Sequence, residues 1–181
     1  KRTRLIWGLL CLVCLLATGL GALGFLPDWG KDSKLSAASG DVPASTVILL
    51  DDSLSMNATV SFAKAQDFIS GFLENMHQQS ETSVLRLGGI ARPVFDKPTS
   101  DPDALRLRSE NLQAEGDRMS LLSGLDQSLS MIAEGKNLKR EIILLSDFRK
   151  QDLLDWDGTA VDALRERISA MPNSPAFTWV D

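Results

Sequence analysis

Oxygen-bearing side chains stand at alternate positions directly after one apolar segment of this 181-residue chain. Asp51, Ser53 and Ser55 follow Thr46-Val-Ile-Leu-Leu50. Alternate residues of an extended loop project to the same side, so these three oxygens can converge on one ion. Carboxylate and hydroxyl oxygens are hard ligands that suit Mg²⁺, whereas zinc usually takes His or Cys ligands. We therefore expect a metal site for Mg²⁺, with Mn²⁺ or Ca²⁺ as alternatives.

A second acidic residue, Asp147, follows another apolar segment, Glu141-Ile-Ile-Leu-Leu145. Ligands of open α/β sheets bind at the carboxyl ends of the strands, so we expect Asp147 and Asp51 at one rim of a sheet. Their charges would repel there unless a cation or a proton intervened. Asp52 is interpreted as a helix cap or a solvated acid. Arg149 and Lys150 are interpreted as part of a solvated face, and Arg149 falls on the same rim, where it can contact an acidic partner.

The elements that must position these residues are predicted from hydrophobic periodicity. The two apolar segments lack alternation, which is typical of strands buried on both faces of a parallel sheet. The other predicted strands span residues 83–87, 92–95 and 176–180, and the predicted helices span 60–77, 102–112, 120–133 and 159–171. This order predicts a Rossmann-like α/β domain with a mostly parallel central sheet and helices on both faces.

An uncharged apolar segment, residues 5–26, precedes the predicted domain. Its 22 residues are enough for a helix that crosses a hydrocarbon core of about 30 Å. The basic flank at residues 1–4 places the N-terminal side in the cytoplasm, and the domain on the periplasmic side of a bacterial inner membrane. A cleaved signal peptide is the alternative interpretation. Residues 27–45 are predicted as a linker, and residues 46–181 as the domain, incomplete at its C-terminal end.

The chain beyond its first four residues is acidic. Three of the 19 basic residues lie in that flank, so 16 remain in the rest of the chain. With 24 acidic residues, the rest of the chain has a net charge of −8. Such a domain repels nucleic acid and anionic lipid headgroups, so we expect no nucleic-acid partner. Cys11 and Cys14 lie within the apolar segment, and they are interpreted as small packing residues rather than a redox or zinc pair.

The motif Asp51-x-Ser53-x-Ser55 at a strand end, followed by Met56 and an amphipathic helix, resembles the metal-ion-dependent adhesion site (MIDAS) of von Willebrand factor A (VWA) domains. In that family a later strand end supplies an Asp, which Asp147 matches. The resemblance implies a non-enzymatic domain in which a partner's acidic side chain completes the coordination of the ion.

The family also takes a Thr ligand from an intervening loop, and here this chain departs from the pattern. The family's Thr-x-Leu-x-x-x-Leu pattern falls on residues 119–125, which places Met119 in the Thr position. Ser120 is the neighbouring hydroxyl, and it is the candidate replacement. This departure motivates an alternative function, a scaffold domain with a degenerate site that holds no metal.

Three further features are similar to bacterial membrane-anchored VWA proteins of the aerotolerance-operon (BatA-like) type. They are "LLDDSLSM" close after an apolar N-terminal segment, "LLSDFR" at residues 144–149, and Trp156. The narrower resemblance implies a role in a membrane complex. A third function, a Mg²⁺-dependent phosphotransferase or phosphatase with Asp51 as nucleophile, stays open as an alternative. One such enzyme family carries a second acid two positions later, where this chain has Ser53.

Overall fold

A computed structural model of the chain describes residues 42–58, 61–149 and 158–180. These residues contain one five-stranded sheet with the strand order β3-β2-β1-β4-β5. The strands are β1 (Ala44–Leu50), β2 (Glu81–Arg86), β3 (Arg92–Pro93), β4 (Lys139–Leu145) and β5 (Ala176–Val180). The β2–β3 pair is antiparallel, and the other three pairs are parallel. The predicted fold class, an α/β domain with a mostly parallel sheet, is therefore confirmed.

Helices cover the two faces of this sheet. They are α1 (Leu54–Ala58), α2 (Ser61–Glu74), α3 (Pro102–Glu110), α4 (Leu121–Glu134) and α5 (Gly158–Ala170). Ile48 and Leu50 of β1 belong to one buried cluster with residues of α1, α2 and α3. Val47 and Leu49 belong to a second cluster with residues of α4 and α5. Alternate residues of a strand point to opposite faces, so β1 is buried along its whole length because it supplies both cores.

The boundaries of several elements differ from the sequence prediction by a few residues, and the first strand and the first helix differ most clearly. Strand β1 begins at Ala44, so its first residues come from the stretch that we assigned to the linker. The helix predicted over residues 60–77 is shorter, because α2 ends at Glu74, and a separate helix, α1, precedes it. Met56, the buried residue of α1, is only 1% exposed, and its burial favours helix formation at the end of the motif.

No helix among the described ranges is long and apolar enough to cross a membrane. The predicted membrane span, residues 5–26, lies outside those ranges.

Candidate metal centre

The carboxyl ends of β1 and β4 lie side by side. Leu50 pairs with Leu145 in the parallel register, and the backbone N–H of Asp51 donates to the carbonyl of Leu145 over 2.9 Å. Because the two strands are neighbours and end at the same level, the residues after each strand share one edge of the sheet. The structure therefore brings the Asp51 loop and the Asp147 loop together.

Asp51 is fully buried, at 0% exposure. Its Oδ1 accepts a hydrogen bond from the backbone N–H of Ser53 at 2.9 Å, and its Oδ2 accepts one from the Ser146 hydroxyl at 2.7 Å. A buried carboxylate is costly unless such partners compensate it, and each of these donors also fixes the direction of the group. Asp51 is thus a buried carboxyl group whose direction is fixed by two donors.

The hydroxyl groups of Ser53 and Ser55 lie 2.9 Å apart, Oγ to Oγ. Ser53 is buried and Ser55 is partly exposed. The expected convergence of the two side chains is found, but its cause differs from the prediction. Helix α1 starts at Leu54, so Ser55 stands in a helical turn and not in an extended loop.

Asp147 and Arg149 follow β4 and lie against this motif. The Asp147 side chain is 11% exposed, and its Oδ1 is buried and accepts no hydrogen bond among the described residues. Arg149 Nε is 3.8 Å from that Oδ1, and Arg149 Nη2 donates to Ser53 Oγ over 3.4 Å. We expected a solvated side chain on the rim, but Arg149 is only 29% exposed and its guanidinium group lies against two of the predicted metal ligands.

The turn that carries Arg149 is strained at Phe148. This residue has φ +45°, in the left-handed region that favours glycine. Its backbone N–H donates to Ser146 Oγ at 3.0 Å, and its ring stacks on Trp179 of β5 with a centroid distance of 5.5 Å. These contacts stabilise a backbone conformation that costs about 1–2 kcal/mol for a residue with a side chain. The role of Phe148 could not be predicted from the sequence, because no local pattern marks an aromatic residue for this conformation.

Met119 and Ser120 lie in the loop before α4, beside the end of β2. Met119 is 4% exposed and packs in the core cluster that includes α4. Both the backbone N–H and the hydroxyl of Ser120 donate to the carbonyl of Leu87, at 2.6 Å and 3.0 Å. The hydroxyl thus stabilises the loop through a backbone contact. The assignment of Ser120 as a metal ligand stays a prediction.

Asp52 has a structural role that the sequence interpretation did not anticipate. It is 4% exposed, and its Oδ2 accepts from Arg86 Nε at 2.8 Å. Burial raises the pKa of Asp52, the cation of Arg86 opposes that shift, and the charge of Asp51 adds to it. The carbonyl of Asp52 also accepts from the N–H groups of Glu115 and Gly116. Its interpretation as a helix cap or a solvated acid was therefore wrong.

The donor set at this edge is made of oxygens. Its members are the carboxylates of Asp51 and Asp147 and the hydroxyls of Ser53 and Ser55. No cluster of three or more His, Cys, Asp or Glu side chains suited to a metal occurs within the described ranges. Two carboxylates with two hydroxyls fit a small hard cation that keeps several waters, and the buried Asp147 Oδ1 has the capacity to accept one of them.

Comparison with known proteins is consistent with this architecture. Residues 46–150 match the family model of the von Willebrand factor type A domain. No curated protein sequence matches the chain. Similar solved structures include an aerotolerance-related membrane protein from Bacteroides fragilis, with a TM-score of 0.59 and 19% identity over 75% of this chain and 66% of that one.

Two other solved structures have the same fold. BatB from Bacteroides thetaiotaomicron has a TM-score of 0.56 and 16% identity, over 75% of this chain and 65% of that one. A proximal thread matrix protein from the mussel byssus, described with a zinc-occupied MIDAS motif, has a TM-score of 0.58 and 15% identity. That match covers 77% of this chain and 40% of the mussel protein. The chain thus spans less than two thirds of each of these proteins.

Proposed function

Because this chain belongs to the von Willebrand factor type A domain family, we propose that it is an interaction domain that binds a divalent cation and, through it, a protein partner. The proposed ligands are Asp51, Ser53, Ser55 and Asp147, with Ser120 as a possible fifth. Domains of this family are in general interaction modules and not enzymes. The ion is proposed to be Mg²⁺, or Mn²⁺ in its place, because the donors are hard oxygens.

The observation that carries the proposal is the meeting of two strand ends. The hydroxyl pair of Ser53 and Ser55 comes from one loop, and the buried Oδ1 of Asp147 comes from the other. A cation between them would offset the repulsion of Asp147 and Asp51. A carboxylate of the partner would fill a coordination position that the ion leaves open. The strong attraction between a divalent ion and a carboxylate would make that contact selective.

Exposed apolar side chains on the same edge support a protein as the partner. Leu54, within the motif, is 54% exposed, and Ile90, after β2, is 63% exposed. The N–H of Leu54 donates to the carbonyl of Gly116, and Gly116 lies against Gly88, two residues before Ile90, so close that a Cβ at Gly88 would be 3.0 Å from the Cα of Gly116. Apolar side chains around a charged centre suit a protein surface better than a small polar ligand.

Calorimetric titration with Mg²⁺ and Mn²⁺ tests the cation site. We expect heat of binding with the native chain and none with the double variant Ser53→Ala/Ser55→Ala. Ser130→Ala/Ser169→Ala on α4 and α5 is the matched control, because it removes two hydroxyls elsewhere and should bind as the native chain does. Equal heats in the native chain and in the motif variant, with both folded by circular dichroism, would overturn the proposal.

The domain is further proposed to be anchored through residues 5–26 and to lie on the periplasmic side of the membrane. The uncharged length of that segment and the basic residues before it support this orientation. The fold similarity to an aerotolerance-related membrane protein supports the membrane anchor. Protease treatment of spheroplasts is the test. Digestion of the domain in intact spheroplasts is expected, and protection of the domain until the membrane is lysed would contradict it.

A scaffold domain that binds its partner without metal is the second candidate. The buried Met119 in the expected Thr position favours it, since a thioether is a poor ligand for Mg²⁺. Partner capture in the presence of a chelator separates the two candidates, because only the scaffold would retain its partner. A phosphoryl-transfer enzyme is disfavoured. Its nucleophile would need to reach substrate, and Asp51 is fully buried with both oxygens hydrogen-bonded.

A further inference from the structure

We infer that the guanidinium group of Arg149 is a built-in counter-ion of this centre, which competes with the divalent cation for Ser53 and Asp147. The inference rests on the proposed cation site, and it adds a way in which the binding of the cation is regulated. In one state Arg149 lies on the motif, and in the other the metal ion replaces it. The domain would thus exist in an arginine-closed state and a metal-loaded state.

The contacts of Arg149 carry the inference. Its guanidinium group reaches Ser53 Oγ at 3.4 Å and Asp147 Oδ1 at 3.8 Å, so it connects the loops that follow β1 and β4. Those are two of the four proposed principal ligands. A guanidinium group is always charged, presents several donors in one plane and is weakly hydrated, which suits it to a partly buried pair of oxygens. It supplies the positive charge that the neighbouring carboxylates require.

The backbone holds Arg149 in this position. Phe148, which immediately precedes Arg149, has a left-handed backbone conformation. The stack of Phe148 on Trp179 and the hydrogen bond from its N–H to Ser146 keep that turn in place. Strained conformations of this kind persist only where surrounding contacts determine them, and they concentrate at functional sites.

Competition follows from charge. A divalent cation bound to Ser53 and Asp147 would stand within a few ångströms of the guanidinium group, and two cations at that distance repel. The ion can bind only after the Arg149 side chain has moved away, so the native chain should bind metal more weakly than a chain without that cation. The displaced Arg149 would then stand at the rim, beside the ion, and would attract the same acidic partner.

Mn²⁺ titration of three proteins tests the competition. The variant Arg149→Gln removes the cation but retains a polar side chain. Arg165→Gln is the matched control, because it removes one cation from α5, where Arg165 is 48% exposed and pairs with Asp162. We expect Arg149→Gln to bind Mn²⁺ about tenfold more tightly than the native chain, the size of one charge-assisted contact, and Arg165→Gln to match the native chain.

A second measurement follows the side chain itself. The Nε–Hε resonance of Arg149 in the native chain is expected to shift on titration with Mg²⁺, while that of Arg165 stays in place. Equal Mn²⁺ affinity of Arg149→Gln and the native chain would overturn the inference. An Arg149 resonance that does not shift when Mg²⁺ binds would also overturn it. If the Ser53→Ala/Ser55→Ala variant still loses binding in either case, the proposed function stands. If neither the native chain nor Arg149→Gln binds Mn²⁺, both proposals fail together.

Discussion

The Ser146 hydroxyl donates a 2.7 Å hydrogen bond to Oδ2 of Asp51, and this contact joins the ends of two neighbouring strands through their side chains. The same hydroxyl accepts from the N–H of Phe148 at 3.0 Å. Ser146 thus orients the buried carboxylate and, at the same time, holds the turn that leads to Arg149. One small side chain couples the two loops of the proposed centre.

We predict that Ser146→Ala destabilises the fold by about 1–3 kcal/mol, because it leaves Oδ2 of Asp51 buried without this donor. Urea unfolding measures the change. Ser169→Ala is the control, since its hydroxyl bonds a helix carbonyl on the exposed side of α5, and a change within about 0.5 kcal/mol is expected there. Similar losses for the two variants would contradict this role of Ser146.

Bound metal should stabilise the folded state, because the unfolded chain lacks the converged oxygens. At a Mg²⁺ concentration of about 100 times Kd, linkage gives roughly 2.7 kcal/mol of added stability. Thermal unfolding with Mg²⁺ and then with excess chelator measures the effect. The Ser53→Ala/Ser55→Ala variant should show no shift. An equal shift in that variant would assign the stabilisation to a site elsewhere.

Asp52 gives the stability a dependence on pH. Its pKa is raised above the ordinary value of 3.8 in the folded protein, chiefly by burial and against the pull of Arg86. The folded state therefore holds the proton more tightly than the unfolded chain does. The contribution of this group to the free energy of unfolding is fully present below pH 3.8. It is lost as the pH rises through the folded-state pKa.

The free energy of unfolding of the native chain should therefore fall relative to that of Asp52→Asn as the pH rises through that window. Urea unfolding at several pH values measures it. Glu110→Gln, an exposed change at the end of α3, is the control for the loss of a carboxyl group. Parallel pH profiles of the native chain and Asp52→Asn would show that burial does not act on this group as argued.

Gly88 and Gly71 are predicted to respond oppositely to alanine. A Cβ at Gly88 would lie 2.2 Å from Asp52 Oδ1 and 3.0 Å from the Cα of Gly116, so Gly88→Ala should cost about 1–3 kcal/mol. Gly71, in α2, has nothing within 4 Å of that position, and Gly71→Ala should stabilise the helix by about 0.5–1 kcal/mol. Denaturant midpoints measure the change in stability of both variants. A change of the same sign in the two variants would contradict the close approach at Gly88.

The turn at Phe148 allows strain and packing to be separated. Phe148→Ala removes the stack on Trp179 and keeps the strained φ, whereas Phe148→Gly removes both the stack and the strain. We predict that the glycine variant is the more stable of the two by about 1 kcal/mol, which reverses the usual order of these residues. Chemical denaturation compares them directly. An alanine variant as stable as the glycine variant would mean that the turn carries little strain.

Most of the sheet could be predicted from the sequence, because strands buried on two faces produce continuous apolar runs. Strand β4 and the central strand β1 were recognised in this way, and the meeting of Asp51 and Asp147 follows from the rule that parallel strands end at one edge. The predicted bounds of β5 agree with the structure. Local periodicity and one general rule of topology were sufficient for these features.

The contacts of Asp52 and Arg149 could not be predicted, because their partners are distant in sequence. Asp52 is paired with Arg86, which lies 34 residues later in the chain, and Arg149 contacts Ser53, which lies 96 residues earlier. Each side chain is polar and falls after a strand, so local pattern favours solvent exposure. Only the assembled sheet decides that both turn inward. The identity of the metal ligands, including Ser120, stays a prediction.

The central position of β1 has a consequence for the order of synthesis. Strand β1 can pair with β2 soon after both have emerged, but β4 follows much later, with Ser146 lying 95 residues after Asp51. Until then this largely apolar strand has one row of unpaired backbone groups, which makes it a template for association with other nascent chains. The ribosome-bound domain should therefore depend on chaperones until its fourth strand is released.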